Sequence, residues 1–549
     1  MLLAWLRRQA GASTAQPVVM ERVVQWLDER MPSVSPFSDL PADDDGAAAR
    51  AMTLADSACG SAPTLMAAAR LVAGRMQPSR AADWTDRAVA MLLHADRQAE
   101  SATLLAQALA YDELPRWQRV GWGLRRAELL NGCGASRAAL RGYIHALAEL
   151  GLCNADLEQT PWAELMPATR RLLALEEWPT HDPSRSAFSA LVLRSLYCTM
   201  GLLVFSPDQR PLMRISLEAD VLFRRLRLHG GLRVGSSALA FSTAGHPAIA
   251  RRLVARAQKL QASLPASDPR VSALFSESRC VVLAGLGDWG TLAQELEASA
   301  QQFARLRCGR QEMNMRALSA KLAFFQGRLE ESLRRFHELD ELALRRPGES
   351  WRAWGPIGLV EVGLCLEPID DDMLRSHYER AVLAMTEMEN IDAAYTLRRL
   401  GLAARLAWRS GDVAAARAAV YAGVAAARRM QSAWWAHEGY AGLGDTLLAL
   451  CAHEPSSSAV PGPLEETWRA FEPALAMHVR RFPPAAILQW RLQGARAQAQ
   501  GRIDEGQTLL KRAMAYAERQ HMHVELTRAC QALGGGLQTR VQQRKPNSP

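Results

Sequence analysis

The sequence predicts an all-α fold, a right-handed superhelical α-solenoid of helix pairs with a period of about 40 residues. Three observations carry that expectation. Gly245, Gly287, Gly327, Gly411 and Gly501 stand between helix-patterned runs, 42, 40, 84 and 90 residues apart, so the last two steps are doubled periods, and Gly134 heads an earlier, less regular stretch. Small and bulky residues recur at fixed offsets around these glycines. Finally, 549 residues exceed the size at which a single compact core stops growing, which leaves several domains or one open array.

The offsets define the helix pair. Seven residues before each glycine stand Ala127, Ala238, Cys280, Ala320, Ala404 and Gly494, all small. Five after come Ala139, Ala250, Leu292, Ser332, Ala416 and Gly506, small in all but one unit. Nine after are the bulky Tyr143, Val254, Leu296, Phe336, Val420 and Leu510, and twelve after the mostly small Ala146, Ala257, Ser299, Leu339, Gly423 and Ala513. Small residues let two helices approach closely, and the bulky one fills the neighbouring groove. The glycine ends the first helix in the left-handed conformation that other residues adopt only at a cost. Asp288 and Asp412, each just after its glycine, are placed to cap the free amides of the second helix.

Taken in order, residues 1–50 read as an N-terminal helix, Val18 to Met31, and a Pro/Ser/Asp-rich linker, and 51–150 as first helical repeats with a turn near Asp96. Residues 151–235 keep helical periodicity but miss the offsets and read as an irregular spacer. The regular repeats fill 236–450, with a turn expected near Ile369 inside the longer gap. Residues 451–464, containing "HEPSSSAVPGP", read as a flexible linker, 465–533 as C-terminal helix pairs and 534–549 as a disordered tail.

The stretches "LAFFQGRLEESLRRFHEL" (Leu322 to Leu339), "LAWRSGDVAAARAAVYAG" (Leu406 to Gly423) and "AQAQGRIDEGQTLLKRAM" (Ala497 to Met514) resemble the tetratricopeptide repeat. They depart from it in a longer period, 40 against 34, and in lacking the closing proline. The longer pairs are similar to the C-terminal helical regions of bacterial signalling ATPases, of the maltose-regulon-activator type or linked to kinases or cyclases. "GYIHALAELGL" (Gly142 to Leu152), "LRRLGLAARLAWRSGD" (Leu397 to Asp412) and "WWAHEGYAGLGD" (Trp434 to Asp445) carry that likeness. The resemblance implies either a chain that corresponds to the helical regulatory arm alone, or one whose ATPase, kinase or cyclase domain was lost or lies on another chain.

Catalytic motifs are largely missing. No G-x-x-x-x-G-K-[ST] is present, so no nucleotide cofactor, nor any other, is expected. Gly285, Gly287 and Gly290 spell G-x-G-x-x-G, but Gly287 is in register with the repeat turns and reads as one of them. His337–Glu338 and His437–Glu438 lack the second histidine that zinc needs four residues on, and His521 and His523 point to different helix faces, so no metal is expected. Nine cysteines without a C-x-x-C pair fit a reducing, cytoplasmic setting. The apolar run Ala187 to Phe205 is interrupted by Arg194 and reads as a buried helix pair rather than a membrane span. The net charge of +8 arises from 65 basic residues, of which only Lys259, Lys321, Lys511 and Lys545 are lysines, against 57 acidic ones. The basic residues are scattered, which argues against direct nucleic-acid binding.

Tryptophan is abundant, 15 against 8 tyrosines. Trp351, Trp354, Trp434 and Trp435, with His437 and Tyr440 nearby, either fill gaps between long helices or line a partner-binding groove. Arg398 and Arg399 are candidates to supply charge for an anionic ligand or acidic peptide. The expected function is non-catalytic: a scaffold or sensor arm binding a protein, peptide or small effector in bacterial signalling or transcription regulation. The alternative is an adaptor or chaperone for complex assembly.

Overall fold

The computed structural model describes residues 97–150 apart from 111–113 and 134, 186–203, 212–216, 230–263, 269–306, 308–345, 351–366, 370–386, 393–429, 434–453 and 462–534, with a few positions between 85 and 93. The expected N-terminal helix, the turns near Asp96 and Ile369, Gly134, most of 151–235, the insertion at 454–461 and the tail lie outside the described residues. Every regular element among the described residues is helical.

The chain divides into two compact units, 1–133 and 134–549. In the first, α1 (Gln98–Ala108) packs on α2 (Arg116–Gly132). Leu104, Leu105, Val120 and Leu124 are buried there, and the Asp86 carboxylate accepts from Trp122 Nε1 and Arg125 at 3.1 and 2.7 Å.

The second unit opens with α3 (Ser136–Glu149) and α4 (Ser186–Leu203). The apolar run is thus a single helix through Leu203 rather than a pair, and no described helix is long and apolar enough to cross a membrane. Helix pairs follow: α5 (Gly230–Thr243) with α6 (Pro247–Ser263), α7 (Pro269–Leu286) with α8 (Trp289–Arg305), and α9 (Gly309–Phe325) with α10 (Leu329–Arg345). Then come α11 (Trp354–Gly363) with α12 (Asp371–Thr386), α13 (Ala393–Arg409) with α14 (Val413–Arg429), α15 (His437–His453) with α16 (Pro463–Arg481), and α17 (Ala486–Ala499) with α18 (Ile503–Arg519). A last helix, α19 (His523–Leu533), follows.

The five repeat glycines are the glycines with positive φ among the described residues: Gly245 (89°), Gly287 (75°), Gly327 (72°), Gly411 (79°) and Gly501 (80°). Each closes its helix the same way. Gly287 N donates to Ala284 O and Asp288 N to Leu283 O, the paired bonds that satisfy the last carbonyls of a helix. The Asp288 and Asp412 carboxylates then accept from Thr291 N and Ala415 N, starting the second helices. His521, with φ 51°, makes the same closure between α18 and α19 without a glycine.

Every residue at the four offsets is buried. The small pairs at −7 and +5 face each other inside the hairpin. A Cβ on Gly494 would meet Gly506 O at 2.9 Å, and Ser332 Oγ donates to Ala320 O at 2.9 Å. A second close approach joins first helices of successive pairs. Between α13 and α15, a Cβ on Gly401 would lie 2.3 Å from Gly439 O, and one on Gly442 would lie 2.4 Å from Gly401 O.

Within this unit the array returns on itself. Cβ atoms on Gly245, Gly287 and Gly327 would come within 3.3, 2.6 and 2.9 Å of Arg481, Pro484 and His523 side chains, so the late helices lie against the early turns. Trp289, Phe325 and Phe482 cement the contact, with ring centroids 5.5 to 6.2 Å apart.

Candidate functional site

The first helices of the pairs bring together two groups of polar side chains. The larger is an ionic core. Glu361 of α11 accepts from Arg398 Nε and Nη2 at 2.6 and 2.9 Å and from Lys321 Nζ at 2.7 Å, all three side chains being buried. Lys321 also lies over the Phe324 ring at 4.5 Å. Burial lowers the Lys321 pKa against the raising effect of Glu361.

Further along, Glu438 of α15 is held through both oxygens by Arg528 of α19, at 3.1 and 2.8 Å, with Arg405 3.8 Å away. Burial alone would raise the Glu438 pKa, but Arg528 and Lys321 outweigh it and hold it down at about 2. Glu525 accepts from Arg528 at 2.6 Å and Arg491 at 3.2 Å, and Arg491 also reaches Asp445 at 2.6 Å. The carboxylates Glu361, Glu438, Asp445 and Glu525 are thus matched by Lys321, Arg398, Arg405, Arg491 and Arg528.

His437, Glu438 and Glu525 put three ligand-type atoms within 4.8 Å of one another, a cluster invisible in sequence because Glu525 is so distant. The donors do not fit a divalent cation. Both carboxylates already engage guanidinium groups, and two further positive charges would enter a core rich in cations. His437 stands between this core and an aromatic cluster, with Nε2 3.6 Å from Glu525, its ring edge-on to Phe325 and Phe482, and His478 at 5.8 Å. The His478 ring stacks on Tyr440 at 4.4 Å, and burial, then the charges of His437 and Arg481, depress its pKa well below 6.5.

The second group surrounds a cavity of about 40 Å³. Its buried end holds Glu277 of α7 and Asn314 of α9, with Asn314 Nδ2 donating to Glu277 Oε1 at 2.9 Å. Trp354 and Trp435 and, from α4, Tyr197 and Cys198 also line it. The half-buried Gly201, Arg310 and Gln311 mark where it meets solvent. The Tyr197 hydroxyl is a second hydrogen-bond partner of the Glu277 carboxyl, and Asn314 Oδ1 is buried with no donor among the described residues. Burial raises the Glu277 pKa, against lowering by Asn314 and Arg310 and, last, the Tyr197 hydroxyl. Burial likewise drives the Tyr197 hydroxyl well above 10. Nearby Cys280 is no nucleophile, since burial and Glu295 push its thiol up to about 12.

The residues singled out from sequence therefore separate. Trp354 and Trp435 line the cavity. Arg398 is engaged by Glu361, and Arg399 lies outside the ionic core, its carbonyl accepting from Tyr378 at 3.2 Å. Trp351, Trp434, His437 and Tyr440 are buried in the packing, with Trp434 stacked on Trp435 at 3.8 Å. Glu277, Asn314 and Tyr197 escaped sequence reasoning. Their one signal was polarity inside apolar runs, as in "SALFSESRC" and "QEMNMRAL".

No family model matches the sequence, and no curated protein matches it. Among solved structures the chain is similar to yeast Tom70, at 13% identity over 92% of this chain and 98% of that one, with a TM-score of 0.32. It is also similar to a circular tandem repeat protein with novel repeat topology, at 13% identity over 96% and 98% of the two chains, with a TM-score of 0.16. Likenesses this distant carry no argument about function, and the helix-pair fold rests on the geometry above.

Proposed function

We propose that the chain is a non-catalytic helical-repeat scaffold or sensor arm that binds a protein, peptide or small effector on the first helices of its pairs. The observation that carries this reading is the cavity lined by α4, α7, α9, Trp354 and Trp435, where the buried polar side chains Glu277 and Asn314 and two indole rings meet half-buried residues. The ionic core supports a structural rather than catalytic role for the remaining buried charges, because each of its carboxylates is neutralised by a cation of this same chain.

The setting we favour is a bacterial signalling or transcription-regulation system in the cytoplasm, with an ATPase, kinase or cyclase domain on a partner polypeptide. The segments around Gly401 and Gly439, which resemble the arms of such ATPases, favour it over an adaptor or chaperone role. Affinity capture with the full chain tests the choice. Recovery of a nucleotide-hydrolysing or cyclase polypeptide is expected. Recovery of assembly or secretion components alone would support the adaptor, and stoichiometric binding of labelled ATP by the isolated chain would overturn both.

A further inference from the structure

The second histidine that His337 lacks four residues on stands 40 residues on, in the next helix pair. His337 belongs to α10 and His377 to α12, second helices of successive pairs, and their rings meet edge to face with centroids 6.0 Å apart. Two imidazoles that share one ion at about 2.0–2.1 Å per nitrogen have centroids about 5–6 Å apart, so a small turn of the rings brings both onto one ion. His337 is exposed and His377 half-buried, and an ion reaches them without disturbing the core. The neighbours leave the ring nitrogens available. Arg380 Nη1 lies 3.5 Å from His377 Nδ1, a long contact that leaves the other ring nitrogen for an ion. Asp340 engages Arg380 at 2.7 Å and so offsets its charge beside an incoming cation. Burial, Arg380 and His337 lower the His377 pKa against Asp340. The neutral, ligating form does not depend on that shift, because an imidazole at the ordinary 6.5 is mostly neutral at about pH 7.5. Imidazole nitrogens suit Zn²⁺, Ni²⁺ and Cu²⁺, whereas Mg²⁺ takes oxygen ligands.

We infer that His337 and His377 form a surface site for one divalent transition-metal ion of the Zn²⁺, Ni²⁺ and Cu²⁺ class, bound through one nitrogen of each ring. Among the described residues no third histidine, cysteine or carboxylate closes with this pair, so water or a group from a bound partner fills the remaining positions. The ion ties α10 to α12, and thereby two successive helix pairs, through side chains that take no part in the cavity or the ionic core. The site stands independently of the scaffold reading.

Isothermal titration calorimetry of the metal-free full chain tests the inference, with ZnCl₂ and NiCl₂ as probes and MgCl₂ as control, in a non-coordinating buffer at about pH 7.5. Saturable Zn²⁺ and Ni²⁺ binding without Mg²⁺ binding is expected. His337→Ala and His377→Ala should each weaken it at least about tenfold, since even an outer-shell partner of a metal site is worth about that. Saturating Zn²⁺ should raise the thermal midpoint of the wild type and leave that of both variants unmoved, as a ligand held between two helices of the folded chain requires. Circular dichroism establishes that the variants fold. His337 is exposed, so His337→Ala decides the matter if His377→Ala unfolds the chain. Blocking the thiols with N-ethylmaleimide should leave the binding intact. Wild-type affinity in either folded variant, equal binding of Mg²⁺, or loss of binding on thiol blocking overturns the inference.

Discussion

Arg528 grips Glu438, 90 positions earlier in the chain, through both carboxylate oxygens, at 2.8 and 3.1 Å. The pair ties the last helix to α15, and Glu525 on the same last helix ties it to Arg491 of α17. A guanidinium with two buried carboxylates around it is hard to remove, because each carboxylate would then be buried without compensation. Arg528→Met is expected to cost about 3–5 kcal/mol, while Glu438→Gln combined with Arg528→Met should lose less than the sum of the single changes. Urea denaturation of the four-member cycle measures this.

The glycine contact between α13 and α15 makes a sharper stereochemical prediction. Gly439→Ala would drive a Cβ to 2.5 Å from the Leu397 backbone, which cannot rotate away as a side chain can. A loss of about 1–3 kcal/mol or more is expected. The control is Gly290→Ala in α8, where nothing lies within 4 Å, and this change should be neutral or stabilising by up to about 1 kcal/mol.

Gly411 isolates the backbone contribution to the repeat turn. Its φ is 79° and a Cβ would meet nothing within 4 Å, so Gly411→Ala tests conformation without a clash. About 1–2 kcal/mol should be lost, with Gly411→Asn losing less. Denaturation midpoints of the two variants at unchanged m-value check this.

Acid sensitivity follows from His478. Its folded pKa is depressed well below 6.5, so below pH 6.5 the unfolded chain takes up a proton that the folded chain refuses. The stabilisation is complete above pH 6.5 and is lost as pH falls toward the folded value, at up to about 1.4 kcal/mol per pH unit. Glu438, held at about 2 in the fold, adds a second loss between its ordinary 4.5 and that value. Denaturation profiles from pH 8 to 5 should flatten in His478→Phe, which keeps an aromatic ring against Tyr440.

The helix-pair architecture was legible because its cause is local. A turn glycine, a capping aspartate and small residues at −7 and +5 all act within one hairpin, so Gly287, Asp288, Cys280 and Leu292 could be placed from spacing alone. The same register explained why Gly285, Gly287 and Gly290 form a repeat turn and not a dinucleotide site. The site was less legible because its cause is long-range. Arg398 reads as a surface charge until Glu361 is brought beside it, and Glu277 reads as one acid among many until Asn314, Trp354 and Trp435 enclose it. Tryptophan count pointed to a region, and two of its four singled-out tryptophans reached the cavity. Nothing in the spacing could say which two. The His521 turn was missed for a different reason, since it achieves with a non-glycine residue what the pattern assigned to glycine.

The central claim is that binding occurs on the first helices, at the cavity, while the ionic core is structural. Hydrogen–deuterium exchange of the full chain with and without its captured partner or effector tests it most directly. Added protection is predicted in segments 197–201, 277–281, 310–314 and 434–436, with no change around Arg528 and Glu438. Protection confined to the second helices α10, α12 and α14, or centred on the ionic core, would contradict it.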